Sequence, residues 1–246
     1  MDNKKVVLGV SGGMDSTVLL HTACQSFDEV YAISFNYGQR HLKEIECANL
    51  QIQDVRQKYP NKQINHQTID VTFIKELAPT SSLTNDNIET PNVKDIRGEA
   101  QPKSYVPNRN MIFLSILAAR AEAVKCNLVW HGAAEADSLA GYWDGSPEFL
   151  LSINNLLGLN RDNPITIDAP LIKLSKKQIV LDGVKMGIKF ENTWTCYAGK
   201  DLSDAESASS SLRLQGFISA GYRDPLVYIQ QAKLDVVYKA MMCRKI

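Results

Sequence analysis

Residues 6–16 read Val-Val-Leu-Gly-Val-Ser-Gly-Gly-Met-Asp-Ser, and this run constrains the fold more than any other stretch of the chain. Val6 to Val10 is short and continuously apolar, the pattern of a strand buried on both faces of a parallel sheet. Ser11-Gly12-Gly13 breaks it, and an apolar helix follows through Val18, Leu19 and Leu20. A strand that turns into a helix through glycines presents backbone N–H groups at the positive end of the helix dipole, where phosphate binds. Glycine lets the backbone approach that anion closely. Ser11, Ser16 and Thr17 can add hydroxyl donors, and Asp15 can hold a Mg²⁺ bound to the phosphates. No Gly-Lys-Ser/Thr follows, which excludes a Walker A loop, and Gly-x-Gly-x-x-Gly of the dinucleotide folds is missing.

The rest of the chain alternates strand and helix. Val30 to Phe35 reads as a strand, Leu42 to Tyr59 as a helix, Gln63 to Val71 as a weaker strand, Met111 to Val124 as an apolar helix and Asn127 to His131 as a strand. Such alternation predicts an α/β fold: a doubly wound parallel sheet with helices on both faces. Ligands of such sheets sit outside the carboxyl ends of the strands, so the loops after residues 10, 35, 71 and 131 are expected around one site. Residues 78–106, 132–147 and 198–211 interrupt the alternation; a loop as long as 78–106 is usually functional or mobile, and the acidic, serine-rich 198–211 reads as a surface loop or the capped start of a helix. The expected division is an α/β domain over residues 1–190 and a helical segment over 191–246 packed on it.

Lys+Arg equals Asp+Glu at 27 each, so no global basic field favours a nucleic-acid polyanion. No apolar run is long enough to span a bilayer, and Met1 to Lys5 is too short and polar for a signal peptide. A cytosolic compartment is expected, without nucleic-acid or membrane partners. Cys24, Cys47, Cys126, Cys196 and Cys243 are scattered and odd in number, which argues against a disulfide framework.

Further motifs lie at the predicted strand ends. Asn36-Tyr37-Gly38-Gln39-Arg40-His41 offers an aromatic, an amide and a guanidinium to a planar ligand. Tyr105-Val106-Pro107-Asn108-Arg109-Asn110 brings Arg109 to a helix start as a bidentate donor. Residues 132–148 carry Asp137, Tyr142 and Glu148; Ala169 to Lys176 carries Lys173 and a helix cap at Ser175; Glu191 to Tyr197 carries Trp194 and Cys196.

Ser-Gly-Gly-x-Asp-Ser resembles the PP-loop of ATP pyrophosphatases, which cleave ATP between the α- and β-phosphates. With Ser-Phe-Asn-Tyr-Gly-Gln-Arg-His, Tyr-Val-Pro-Asn-Arg-Asn, Pro-Glu-Phe, Pro-Leu-Ile-Lys-Leu-Ser-Lys and Thr-Trp-Thr-Cys-Tyr, the chain from Val6 to about Pro225 resembles the 7-cyano-7-deazaguanine synthases of queuosine biosynthesis. That resemblance implies an ATP-dependent ligase that converts 7-carboxy-7-deazaguanine and ammonia to the nitrile through adenylated intermediates, with ATP and Mg²⁺ as cofactors. It implies nucleotide contacts from Leu8, Gly9, Val10, Ser11, Gly12, Gly13, Met14, Asp15, Ser16, Thr17 and Phe35. Ser11, Asp15, Ser16, Arg109 and Lys176 are the candidate catalytic residues. Tyr37, Gln39, Arg40, Arg109, Asp137, Tyr142, Glu148, Lys173 and Trp194 are expected around the substrate, with Arg40, Arg109 or Lys173 on its carboxylate. A homodimer is expected.

Three departures stand out. The resemblance implies a four-cysteine zinc site, yet only Cys196 is present; Asp204, Ser207 and Ser210 occupy the other ligand positions. Hydroxyls do not replace thiolates at such a site, so zinc is not expected, and Ser207 and Ser210 are expected to cap a helix through Leu212, Leu214 and Phe217. Gly145-Ser146 stands where a bulkier pair is expected beside the substrate. A tail from Leu226 to Ile246 extends past the usual ending. Two alternatives follow: a relative that stops at the amide or joins the acid to another amine, and a non-catalytic nucleotide-binding paralogue. A tRNA-thiolating enzyme would want paired cysteines and a basic surface, and an amidotransferase a glutaminase domain.

Overall fold

The apolar run at residues 6–10 forms the centre of the molecule. In the computed structural model, which describes residues 4–40, 43–85, 87–92, 101–196 and 202–243, the strands are β1 (Lys5–Gly9), β2 (Glu29–Asn36), β3 (Gln63–Asp70), β4 (Leu128–Trp130) and β5 (Thr166–Asp168). They form one parallel sheet in the order β3-β2-β1-β4-β5. The chain builds outward from β1 through β2 to β3, then crosses back to lay β4 and β5 on the other side. Order therefore reverses between β1 and β4, and a crevice opens at their carboxyl ends.

Alternate residues of β1 feed two cores. Val6 and Leu8 pack with Val18 and Leu19 of α1 (Met14–Ser26), Ala48 and Ile52 of α2 (Lys43–Lys58), and Ile179 of α7 (Lys176–Lys185). Val7 packs with α4 (Arg109–Ala123) through Leu114 and Leu117, and with Ile74 of α3 (Phe73–Leu77) and Ile153 of α6 (Pro147–Leu157). Helices thus cover both faces, as the strand–helix alternation predicts. A short helix, α5 (Glu135–Leu139), follows β4.

β5 is absent from the sequence reading: three residues carry too little periodicity to announce a strand, and the ladder with β4 alone defines it. Ser175 caps α7 as expected, in a capping box with Gln178. α8 (Ala208–Ala220) runs along α7 so closely that a Cβ on Gly216 would lie 2.9 Å from Lys176 Cβ, and its Phe217 joins the core of α1 and α7. The final helix, α9 (Gln231–Cys243), anchors through Tyr238, which packs with Leu214 and Tyr228, whereas Val227, Ile229, Val236 and Val237 are exposed. Among the described residues no helix is long and apolar enough to cross a membrane.

A buried ion pair fastens this C-terminal part. Arg213 Nε and Nη2 donate to Asp224 Oδ2 and Oδ1 at 2.7 and 3.0 Å, and the guanidinium also donates to Thr193 Oγ1 at 2.6 Å and the Phe190 carbonyl at 3.1 Å. Tyr228 donates its hydroxyl to Asp224 at 2.7 Å. Every strong donor and acceptor of the pair is therefore matched, which a buried charge requires.

Candidate active site

The glycine turn after β1 has the geometry its composition predicts. Gly12 has a φ of +82°, and a Cβ there would fall 2.0 Å from the Glu44 carbonyl oxygen, so only glycine fits. Trp194 supports the turn from behind, donating its backbone N–H to the Gly12 carbonyl at 2.9 Å. Gly13 is the N-cap of α1, whose first-turn amides lack intrahelical acceptors and open toward the crevice. Ser11 and Ser16 hydroxyls lie 3.0 Å apart and order the turn.

A cavity of about 280 Å³ occupies the crevice. Its wall comes from Gly9, Val10, Ser11 and residues 13–16, with Gly12 behind it, from Ser34 and Phe35 at the end of β2 and Tyr37 and Gln39 after it, from Leu83, Thr90 and Pro91 in the connection after α3, and from Trp130 at the end of β4 and residues 131–133 after it. The loops after β1, β2 and β4 thus converge as expected, whereas the loop directly after β3 stays outside the wall and the connection after α3 takes its place. Arg109, Phe113, Asp137, Tyr142, Lys176 and Trp194 also line it. Phe35 stacks on Phe113 at 4.0 Å between centroids, and the Arg109 guanidinium lies 5.5 Å from the Tyr37 ring and 5.9 Å from that of Phe113.

Charge is concentrated at one end. Lys176 Nζ donates to Asp15 Oδ2 at 2.6 Å, while Asp15 Oδ1 is buried with no hydrogen-bond partner among the described residues. Burial opposes the Lys176 ammonium, but Asp15 and Asp137 overcome this and raise it above the usual lysine range. Burial pushes Asp137 up, with Lys176 opposing. Burial lowers His131 to about 4, so a neutral imidazole lines the wall. Burial also raises Glu44 to about 7, against the pull of Arg109.

Several expected site residues stand elsewhere. Leu8 is fully buried in the core, and Thr17 is buried with its hydroxyl donating to the Gly13 carbonyl at 2.8 Å, so neither offers a group to a nucleotide. Arg40 donates to the carbonyls of Asn85 and Ile88, fastening the 85–90 connection rather than lining the cavity. Glu148 and Lys173 are exposed and outside the wall. Glu148 follows Ser146, the N-cap of α6, and Pro147, and the helical phase that buries Phe149 and Ile153 turns it to solvent. Gln39 reaches the wall, but its amide turns back onto Tyr37 N–H and the Phe35 carbonyl. Glu44 and Phe113 are lining residues that sequence reasoning missed. Glu44 had a signal: it shares the buried stripe of α2 with Ala48, Ile52 and Val55, where a carboxylate is out of place.

The model of the queuosine biosynthesis protein QueC matches residues 5–221. The 7-cyano-7-deazaguanine synthase 1 of Colwellia psychrerythraea is 38% identical over 92% of this chain and 99% of its own length, and the 7-cyano-7-deazaguanine synthase of Thermoplasma volcanium is 42% identical over 92% and 91%. The chain belongs to the QueC family. In fold it is similar to an NMN synthetase from Francisella tularensis, at a TM-score of 0.53 and 16% identity over 99% of this chain and 87% of that one.

The four positions at which the resemblance implies zinc ligands hold a different chemistry here. Asp204 Oδ1 accepts from the backbone N–H groups of Glu206 and Ser207, both at 3.1 Å, and from Ser207 Oγ at 2.9 Å; Ser210 Oγ lies 2.9 Å from Ser207 Oγ. Ser207 is the N-cap residue of α8, yet its hydroxyl makes no capping bond, because Asp204 engages it instead. Cys196 packs in a small apolar cluster with Cys47 and Trp194. One thiol, one carboxylate and two mutually bonded hydroxyls do not fit structural zinc.

Proposed function

We propose that the chain condenses 7-carboxy-7-deazaguanine with ammonia, consuming ATP and releasing AMP and pyrophosphate, and carries the resulting amide on to 7-cyano-7-deazaguanine. As a QueC enzyme it is an ATP-dependent ligase of queuosine biosynthesis. The observation that carries the detailed reading is the single cavity shared by the Ser11–Ser16 turn, the Asp15–Lys176 pair and Arg109.

The first-turn amides of α1 receive the phosphates of ATP, and Lys176 neutralises charge on them. Asp15 Oδ1 has the hard oxygen and the missing partner that suit Mg²⁺. Mg²⁺ bound there would offset phosphate charge as pyrophosphate leaves. Arg109, held over Tyr37 and Phe113, pairs with the substrate carboxylate. Arg40 and Lys173 drop out as partners, because one is spent on carbonyls and the other lies outside. Tyr37 and Phe113 offer the flat deazaguanine an apolar face, and Asp137 accepts from its N–H edge. The carboxylate oxygen attacks the α-phosphorus, pyrophosphate departs, and the mixed anhydride so formed has AMP as a good leaving group. Ammonia replaces AMP, and a second ATP adenylates the amide oxygen with loss of pyrophosphate, so that this oxygen leaves on AMP while the nitrogen gives up its two protons and the nitrile remains. The protein contributes position and charge rather than a covalent nucleophile.

Incubation of the purified chain with the acid, ATP, Mg²⁺ and ammonium, followed by mass spectrometry, tests this. The nitrile with AMP and pyrophosphate is expected, and Asp15→Asn should lower turnover about 10²-fold or more. ADP with phosphate would refute the nucleotide reading, and an amide end product would refute the second activation.

A further inference from the structure

Glu44 is a carboxyl that the reaction above leaves without a task. It sits in the first turn of α2 and lines the cavity at only 9% exposure. Its own carbonyl touches Gly12, so it stands beside the phosphate turn, and Arg109 is the basic group that acts on its carboxyl. Tyr37 from the loop after β2 and Cys47 from its own helix also feel its charge. Among the described residues no donor hydrogen-bonds to it. The other carboxyls of the wall each have one oxygen engaged by the protein: Asp15 Oδ2 by Lys176, and Asp137 Oδ2 by the Ala134 N–H at 2.8 Å. A buried carboxyl kept without a partner is costly unless a ligand supplies one.

We propose that Glu44 is the proton acceptor that converts ammonium to the attacking ammonia. This inference rests on the adenylation reading above. At neutral pH the nitrogen source is mostly NH₄⁺, which has no lone pair for attack. A carboxylate is its natural partner in an apolar wall. Glu44 takes one proton from NH₄⁺. The freed NH₃ attacks the acyl carbon, the C–N bond forms, and the C–O bond to AMP breaks with its electron pair on the phosphate oxygen. The second proton leaves with AMP, so acyl adenylate and NH₄⁺ give amide, AMP and the proton held by Glu44. Burial already raises this carboxyl to about 7, where taking and releasing a proton at neutral pH are both easy.

Three assays on the full-length protein and its Glu44→Gln and Glu44→Asp variants test this. Acid-dependent exchange of pyrophosphate into ATP, measured without ammonium, reports adenylation alone. Product formation with ammonium reports aminolysis. Trapping with hydroxylamine, which is uncharged at neutral pH, reports aminolysis by a nucleophile that needs no deprotonation before attack. Glu44→Gln should keep exchange and hydroxylamine trapping within about threefold, while ammonium-dependent turnover falls about 10²-fold or more; Glu44→Asp should recover part of it. Exchange falling in parallel with turnover would assign Glu44 to substrate binding and overturn the proposal. So would an equal loss with hydroxylamine. Absence of exchange in the unaltered protein would overturn the adenylation reading itself.

Discussion

A carboxyl buried without a donor destabilises the fold once it carries charge, and Glu44 makes that cost measurable. Its proton is held up to about 7 in the folded protein, against 4.5 for an ordinary glutamate. Between those values the folded state binds more protons than the unfolded state, so stability falls as pH rises and levels off above about pH 7. At 1.36 kcal/mol per unit the loss is bounded near about 3 kcal/mol. Glutamine keeps the shape and removes the charge. Glu44→Gln should therefore raise Tm by several degrees at pH 8, with the gain shrinking toward pH 5, in thermal melts of both proteins across that range. A gain independent of pH would show that the charge is not what burial penalises. The same residue shows what single side chains disclose in sequence. A lone carboxylate on a mostly apolar helical stripe is visible; its neighbours Arg109 and Gly12 are not, because they come from other elements. Conversely, Arg40 and Lys173 look alike as cations, and only the path of the chain sends one to carbonyl oxygens and the other to solvent.

Among the elements, β1 and α1 were legible because a buried parallel strand and a glycine turn each leave a strong local pattern. α2 and α4 carried clear apolar stripes, and their observed bounds fall within two residues of the expected ones. β5 left no such trace, and the capping bond expected of Ser207 is not made: its hydroxyl donates to Asp204 Oδ1, which also accepts from the Glu206 and Ser207 amides just before the helix. The bond between α8 and the segment after it was also hidden. Arg213 reads as one more charge on an amphipathic helix, yet it is buried against Asp224, which Tyr228 and Tyr238 also contact. Arg213→Met would leave Asp224 charged and buried with no cation. Such a loss costs about 3–5 kcal/mol, or roughly 6–20 °C in Tm for a chain of this size. Removing both charges, in Arg213→Met with Asp224→Asn, should restore part of that. Thermal melts of the single and double variants decide it; a single variant melting within about 2 °C of the unaltered protein would mean that the pair is energetically idle.

At the scale of the whole molecule, the parallel sheet and the convergence of the loops after β1, β2 and β4 followed from the alternation of strands and helices, whereas the strand order and the means of holding the C-terminal segment did not. Thiolate zinc sites contribute folding energy outright, about 10–16 kcal/mol of apparent binding free energy in finger peptides. With a single thiol at the four positions where the resemblance implies zinc ligands, that energy must come from elsewhere. Asp204 draws two backbone amides and a serine hydroxyl around the start of α8. Arg213 then ties α8 to Thr193 and Phe190 and, through Asp224, to Tyr228; Thr193 in turn precedes Trp194, which holds Gly12 of the phosphate turn. α9 adds Tyr238, from beyond the residues that match the QueC model. Each link is an ordinary hydrogen bond or apolar contact, and none depends on a metal. We therefore expect protein purified without chelators to carry far less than one zinc per chain by elemental analysis. Its Tm should not change on addition of a strong chelator, and refolding from urea should reach the same end point with the chelator present. Near-stoichiometric zinc, or melting brought on by the chelator, would mean that a thiolate site forms after all and that the Asp204 cluster is not its replacement.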